Sequence, residues 1–200
     1  MEPLACVLRG QRNAGLKPGQ SILVLGSGIS GLLHVSVARA LGAGSVIAVD
    51  TIPFRLQKAE EMGANACLNA DEALVEALKE VNEGRLADLV IICFEGFIPL
   101  AFQCVEKGGT ILFFSGASEG ATIPVAINDI FWRTEITLTS TYAGAPYDCE
   151  TALKLIHAGR VPVTKTITHR LAMGEGAEGF QKVCAPSEPE CIKVIVEPDK

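Results

Sequence analysis

The stretch SILVLGSGISGLLHVSVARALGAGSVIAVD, residues 21–50, decides the fold. It opens on SILVLG (21–26), a short apolar run of the kind that is buried on both faces of a parallel sheet. ISGLLHVSVARALGA (29–43) reads as a helix rich in apolar positions, and SVIAVD (45–50) as a second buried strand. Between the first strand and the helix, Gly26, Gly28 and Gly31 stand in the spacing G-x-G-x-x-G.

Each glycine has a physical task. The first permits the tight turn out of the strand, the second lets backbone approach a pyrophosphate, and the third lets the helix pack closely on the sheet. The loop residues Gly26, Ser27, Gly28, Ile29, Ser30 and Gly31 then lead into a helix N-terminus, where free N–H groups and the dipole favour phosphate. Asp50 follows Gly31 by 19 residues and ends the second strand. A carboxylate there accepts hydrogen bonds from the adenosine ribose and repels a 2′-phosphate. These residues predict a dinucleotide site that takes NAD rather than NADP; the plainer reading is a tight strand-to-helix turn. Arg55, the next basic residue, reads either as a coenzyme contact or as a solvated helix position.

Outward from this unit, strands and helices continue to alternate. Residues 4–14 predict a helix and 16–20 a turn. Helix 52–63 carries Pro53 in its first turn, strand 64–69 follows, and helix 71–84 is expected to be capped by Asp71. Strand 87–94, helix 98–109 and strand 110–116 come next, with Gly108 and Gly109 read as the turn between the last two. Strand 135–143 and helix 146–161 precede a tail read as strand 165–171, helix 176–185 and strand 191–198. Such alternation makes right-handed βαβ units on a parallel sheet. Ligands bind beyond the carboxyl ends of such strands. Cys93 and Phe94, leaving the fourth strand, and FSGAS (114–118), leaving the fifth, are therefore expected over the nicotinamide half of the coenzyme.

Composition excludes several classes. With 48% hydrophobic and 20% charged residues the chain is an ordinary globular one, and its net charge of -6 leaves no footprint for nucleic acid. No apolar run reaches the roughly 20 residues that span a bilayer, so no membrane partner is expected. Glu2 and Pro3 stand where a signal peptide would carry a basic region. The seven cysteines include no C-x-x-C pair and read as reduced thiols of a cytoplasmic protein.

The residues GLKPGQSILVLGSGISGLLHVSVARALGAGSVIAVD (15–50), RLQKAEEMGANACLNADE (55–72) and EKGGTILFFSGASEG (106–120) resemble the zinc-dependent medium-chain dehydrogenases, nearest to the polyol and threonine dehydrogenase branch. NDIFWRTEITLTSTY (128–142) and residues 152–180 extend the resemblance over nearly the whole chain. CFEG (93–96) departs from the family's usual C-T-G, and Ser115 replaces a usual glycine. The resemblance implies an α/β Rossmann fold: a doubly wound parallel sheet of six strands in the order 3-2-1-4-5-6, with a C-terminal return segment. It divides the chain into a linking helix (1–20), an NAD-binding domain (21–143) and a C-terminal helix and return segment (144–200).

It further implies that Phe114, Ser115, Gly116, Thr141 and Tyr142 touch the nicotinamide end, and that strand 135–142 pairs with its mate in a homodimer. The family's zinc is held largely by a GroES-like catalytic domain, which does not match any part of this sequence. Glu2 matches a glutamate at or near that zinc, or simply starts a helix. No metal ligand set and no catalytic residue is assigned, and zinc is expected only in the intact enzyme.

The reading that follows is the NAD(H)-binding portion of an alcohol, polyol or threonine-type dehydrogenase. The alternative is a stand-alone module that binds or senses NAD(H). A methyltransferase fits the glycine spacing less well.

Overall fold

The structure, a computed structural model, describes residues 1–123, 126–185 and 190–198. Strands β1 (Ser21–Leu25), β2 (Ser45–Asp50), β3 (Ala66–Asn69), β4 (Ala87–Ile92), β5 (Val105–Phe113) and β6 (Thr137–Ser140) form one sheet in the order β3-β2-β1-β4-β5-β6. Every neighbouring pair is parallel. This is the expected Rossmann order. The chain steps outward from β1 to β3, then returns to lay β4 on the other side of β1. That reversal opens a crevice at the carboxyl ends of β1 and β4.

The strands are apolar throughout because both faces are covered. Ile22, Val24, Val46, Ala48, Leu89 and Ile91 point to one face, into a core closed by Leu32 and Val35 of α2 (Ile29–Ala40) and Ala59 of α3 (Pro53–Glu61). Their neighbours Leu23, Leu25, Ile47, Val49, Val90 and Ile92 point to the other, against α4 (Leu74–Val81) and α5 (Ile98–Cys104). Each fully buried Leu or Ile contributes about 1.5–3 kcal/mol. A third cluster joins α1 (Glu2–Asn13) to α2 and α7 (Pro146–His157) through Leu4, Val7, Leu8, Leu33, Val37 and Ala152. Arg12 of α1 is also paired with Asp148, whose carboxylate accepts the Ala145 N–H at the start of α7.

Several expected boundaries move. The helix expected over 98–109 stops at Cys104, and β5 already begins at Val105. Gly108 and Gly109 therefore lie within the strand, in a bulge. Two steps along β4, Ala87 to Leu89, are matched by five along β5, Val105 to Thr110. Gly108 takes φ +75° there, and a Cβ on Gly109 would fall 2.7 Å from the Glu106 carbonyl oxygen. Asp71 does not cap α4, which starts three residues later; it accepts the Ala73 N–H at 2.9 Å in the turn ahead of the helix. A short helix, α6 (Ile127–Ile130), was not anticipated.

The tail forms a second, two-stranded parallel sheet of β7 (His169–Ala172) and β8 (Val194–Glu197), joined through α8 (Gly176–Cys184). The strand expected over 165–171 begins only at His169, and residues 163–166 are a 3-10 turn instead. Residues 186–189 and 199–200 of the return segment lie outside the described residues. Among the described residues, no helix is long and apolar enough to cross a membrane.

Candidate coenzyme site

The loop after β1 is shaped by its glycines for three different reasons. Gly26 turns at φ +98°, a left-handed conformation that side chains disfavour, and its N–H donates to the Val49 carbonyl at 2.9 Å. A Cβ on Gly31 would lie 1.8 Å from the Gly26 carbonyl oxygen, so any side chain there would push α2 off the loop. Gly28 differs from both. Its φ of -70° suits any residue, and a Cβ built on it meets no protein atom within 4 Å. Neither backbone conformation nor internal packing calls for a glycine at 28; the close approach of a ligand would.

Asp50 lies at the end of β2 and is 4% exposed. Its Oδ2 accepts the Ser27 N–H at 2.7 Å, and its Oδ1 accepts the N–H groups of Thr51 at 2.8 Å and Ile52 at 3.0 Å. Arg55 Nη1 stands 4.0 Å from Oδ2, while the buried Arg55 Nε has no hydrogen-bond partner among the described residues. Asp50 thus fixes the glycine loop as well as bordering the crevice. Ser27 belongs to that support: it is fully buried and its hydroxyl donates to the Val49 carbonyl. Ile29 and Ser30 are half-buried at the start of α2, with Ile29 packed on the core. The first bond of α2 runs from the Leu32 N–H to the Gly28 carbonyl, so the N–H groups of the preceding turn have no intrahelical acceptor.

A cleft of about 320 Å³ opens over this loop. Gly26 and Gly28 form its base, Asp50, Thr51 and Arg55 one side, and Cys93, Phe94 and Phe97 the other. Burial pushes the Cys93 thiol far above its ordinary pKa, so it is a neutral wall group and not a nucleophile. Thr51 and Phe97 escaped the sequence reading. Each follows a strand end by only a few residues, and that position was the available signal.

The remaining expected residues gather elsewhere. Phe114 and Thr141 meet around Gly10 of α1, where a Cβ would touch both side chains at 3.2 Å. Phe114 also stands edge-on to the ring of His34 at 4.4 Å. Ser115 donates its hydroxyl to the Gly116 carbonyl, and Tyr142 is 90% exposed. The structure thus brings Cys93 and Phe94 into the same cleft as Asp50, and leaves Phe114, Ser115, Gly116, Thr141 and Tyr142 outside that cleft. Glu95 links the two loops: its carboxylate accepts the Ser118 N–H at 2.6 Å and the Ser118 hydroxyl at 2.8 Å.

Residues 30–158 match the family model described as zinc-binding dehydrogenase. The chain belongs to the zinc-binding dehydrogenase family. A D-altritol 5-dehydrogenase from Agrobacterium fabrum is 31% identical over 197 residues, covering 96% of this chain and 56% of that protein. A D-xylulose reductase A from Aspergillus oryzae is 31% identical, covering 92% and 53% respectively. The crystal structure of a zinc-binding dehydrogenase from Sinorhizobium meliloti, bound to NADP, superposes with a TM-score of 0.88 at 28% identity, over 98% of this chain and 58% of that one. The chain therefore spans about half the length of the dehydrogenases it matches.

For this zinc-binding dehydrogenase chain the metal and the coenzyme stand differently. Among the described residues, no three His, Cys, Asp or Glu side chains group so as to hold a metal ion. Glu2, the residue matched to the family's zinc-side glutamate, accepts the Cys6 thiol at 2.9 Å. A nicotinamide dinucleotide fits: an open glycine at 28, a helix N-terminus behind it and a carboxylate one strand away are the parts such a ligand uses.

Proposed function

We propose that this chain is the NAD(H)-binding portion of an alcohol, polyol or threonine-type dehydrogenase that transfers hydride between a secondary alcohol and NAD. The observation that carries the reading is Gly28, a glycine that the protein's own conformation and packing do not need. The names of the altritol and xylulose relatives support a polyol-class alcohol.

NAD is preferred to NADP because the Asp50 carboxylate borders the ribose side and would repel a 2′-phosphate. Arg55 stands too close to Asp50 to serve a phosphate without sharing its charge. The coenzyme supplies the hydride chemistry. This chain's residues bind the pyrophosphate at the α2 N-terminus and orient the adenosine at Asp50.

Activating the alcohol falls to groups other than these. We assign them to a GroES-like catalytic domain carrying zinc, which docks with the linking helix (1–20) and the return segment (144–200) around the NAD-binding domain (21–143). Phe114, Ser115, Gly116, Thr141 and Tyr142 lie on the side where the nicotinamide reaches that domain. The edge strand β6 pairs with its mate in a homodimer; Leu138 on β6 and Ile123, Phe131 and Trp132 near it are exposed apolar side chains that a partner would cover. The unbridged cysteines suit a cytoplasmic location.

Titration of the chain with NADH and NADPH, followed by nucleotide fluorescence or calorimetry, tests the reading. Saturable NADH binding, at least tenfold tighter than NADPH and lost in Gly28→Val, is the expected result. Absence of NADH binding by the folded wild-type chain overturns it.

A further inference from the structure

Gln11 of α1 and His34 of α2 are polar and fully buried in an otherwise apolar junction. Leu4, Val7, Leu8, Leu33 and Val37 make up the cluster around them. Burying such a pair carries a cost that aliphatic side chains would not. Their hydrogen bonds fix the form of the ring. The Gln11 amide nitrogen donates to the His34 backbone carbonyl at 2.8 Å, so it is an NH2 group that also lies 3.1 Å from Nδ1. Two donors cannot face each other. Nδ1 is therefore the acceptor, and the imidazole proton sits on Nε2. That Nε2–H is buried and meets no nitrogen or oxygen acceptor among the described residues; Gln11 Oε1 likewise has no donor.

What His34 meets is a ring. Its centroid lies 4.4 Å from that of Phe114, with the planes at 89°. A T-shaped pair at this distance lets a polar ring edge point into the negative face of a phenyl group. Phe114 is held from other sides as well. Its N–H donates to the Ile92 carbonyl at 3.0 Å. Gly10 leaves room for the ring, since a Cβ there would stand 3.2 Å from both Phe114 Cδ2 and Thr141 Cγ2. Asn13 Nδ2 donates to Thr141 Oγ1 at 3.4 Å. Three residues of α1, Gly10, Gln11 and Asn13, thus bear on Phe114 and Thr141 directly or through His34. The cleft at Asp50 uses none of these side chains.

Resting on the coenzyme reading above, which sets Phe114 and Thr141 at the nicotinamide end, we infer that His34 is a positioning residue: its Nε2–H points into the Phe114 ring and fixes the wall that the nicotinamide meets. His34 itself touches no coenzyme. It passes the placement of the linking helix on to the loop after β5, and the adenosine end does not depend on it.

Two measurements test this. Proton–nitrogen NMR of the imidazoles at pH 7, with His34→Gln to assign the signal, should show His34 as the neutral Nε2–H tautomer. Its Nε2–H resonance should be shifted upfield by the phenyl face, and Phe114→Leu should abolish that shift. Calorimetric titration of wild type, His34→Leu, Phe114→Leu and the double variant with NADH and with ADP-ribose, which lacks nicotinamide, gives the second readout. Each single variant should weaken NADH by about threefold, as suits a contact of this kind, and the double variant should weaken it no further. ADP-ribose affinity should stay within about twofold of wild type throughout. A loss of stability alone would not separate the two ligands. An Nδ1–H tautomer, an Nε2–H signal that ignores Phe114→Leu, or NADH and ADP-ribose affinities that fall together overturn the inference and leave the coenzyme reading standing. Absence of NADH binding by the folded wild type overturns both.

Discussion

The Gln11 side-chain amide donates to the His34 backbone carbonyl at 2.8 Å and lies 3.1 Å from His34 Nδ1. Both residues are fully buried where α1 crosses α2. Burial pushes the His34 pKa down from 6.5 to about 3, and its Nε2 has no partner among the described residues. The imidazole is therefore neutral in the folded chain at pH 7. Between pH 6.5 and about 3 the unfolded chain binds a proton that the folded one refuses. Stability then falls as pH falls through that window. From pH 7 to pH 5 this group alone should remove about 2 kcal/mol. Urea denaturation at the two pH values checks it: His34→Gln should show a shallower pH dependence than wild type, whatever its absolute stability. Equal slopes would remove His34 as the cause.

The last two glycines of the fingerprint should respond in opposite ways. Gly31→Ala sets a Cβ against the Gly26 carbonyl, a backbone atom that cannot rotate away. We expect it to cost about 3 kcal/mol or more. Gly28→Ala meets open space and should change stability by less than about 1 kcal/mol. Its methyl group would nonetheless occupy the path of a phosphate, and NADH affinity should fall at least tenfold. Thermal denaturation and NADH titration of both variants measure the two effects. Full NADH affinity in Gly28→Ala would count against a pyrophosphate at this loop.

Asp50 is a poor residue with which to isolate coenzyme binding. Removing its carboxylate orphans the N–H groups of Ser27, Thr51 and Ile52. Asp50→Ala should therefore lose about 2–4 kcal/mol of stability along with NADH affinity. Asp50→Asn keeps one acceptor oxygen and should lose less. A calorimetric melt of Asp50→Ala indistinguishable from wild type would show that those amides find other partners.

The Glu95–Ser118 contact should act as a pH-dependent clasp between the loops after β4 and β5. The Ser118 N–H and hydroxyl hold the Glu95 carboxyl below its ordinary pKa of 4.5. Its contribution is present above pH 4.5 and is lost as pH falls through the lowered folded value. Hydrogen exchange at the Ser118 amide, corrected for intrinsic rate, should accelerate in Glu95→Ala at neutral pH. An unchanged rate would mean that the loop is held by other contacts.

Pairing through β6 makes a prediction about mass. Light scattering should give a dimer for wild type and a monomer for Leu138→Glu, which puts a charge on the exposed edge strand. A monomeric wild-type chain would exclude the β6 interface.

The parallel sheet was legible because β1, β2 and β4 are buried on both faces, and continuous apolar runs between turn residues have few other uses; the strand order was implied by the resemblance to the zinc-dependent medium-chain dehydrogenases. The base of the site was legible in Gly26, Gly28, Gly31 and Asp50, whose spacing encodes a turn and a helix start. Short-range pattern failed where long-range contact decides. Val105 looks like a helical continuation but joins β5 because it pairs with Ala87. Phe94 lines the same cleft as Asp50 because β4 returns beside β1, a relation between residues far apart in the chain. Ser27 looked like a ligand contact, yet the Val49 carbonyl claims its hydroxyl.

The bulge at Gly108–Gly109 has an architectural consequence. From Thr110 onward β5 keeps step with β4 residue for residue, through Phe113 opposite Ile92. All the slack is taken up at the amino end of the strand, the edge of the sheet remote from the glycine loop. Insertions or deletions near residues 105–109 can be absorbed there without shifting any strand terminus at the crevice. The sheet behaves like a ruler with its zero mark at the binding edge, where tolerance is tight, and its free length at the opposite edge, where the chain can drift.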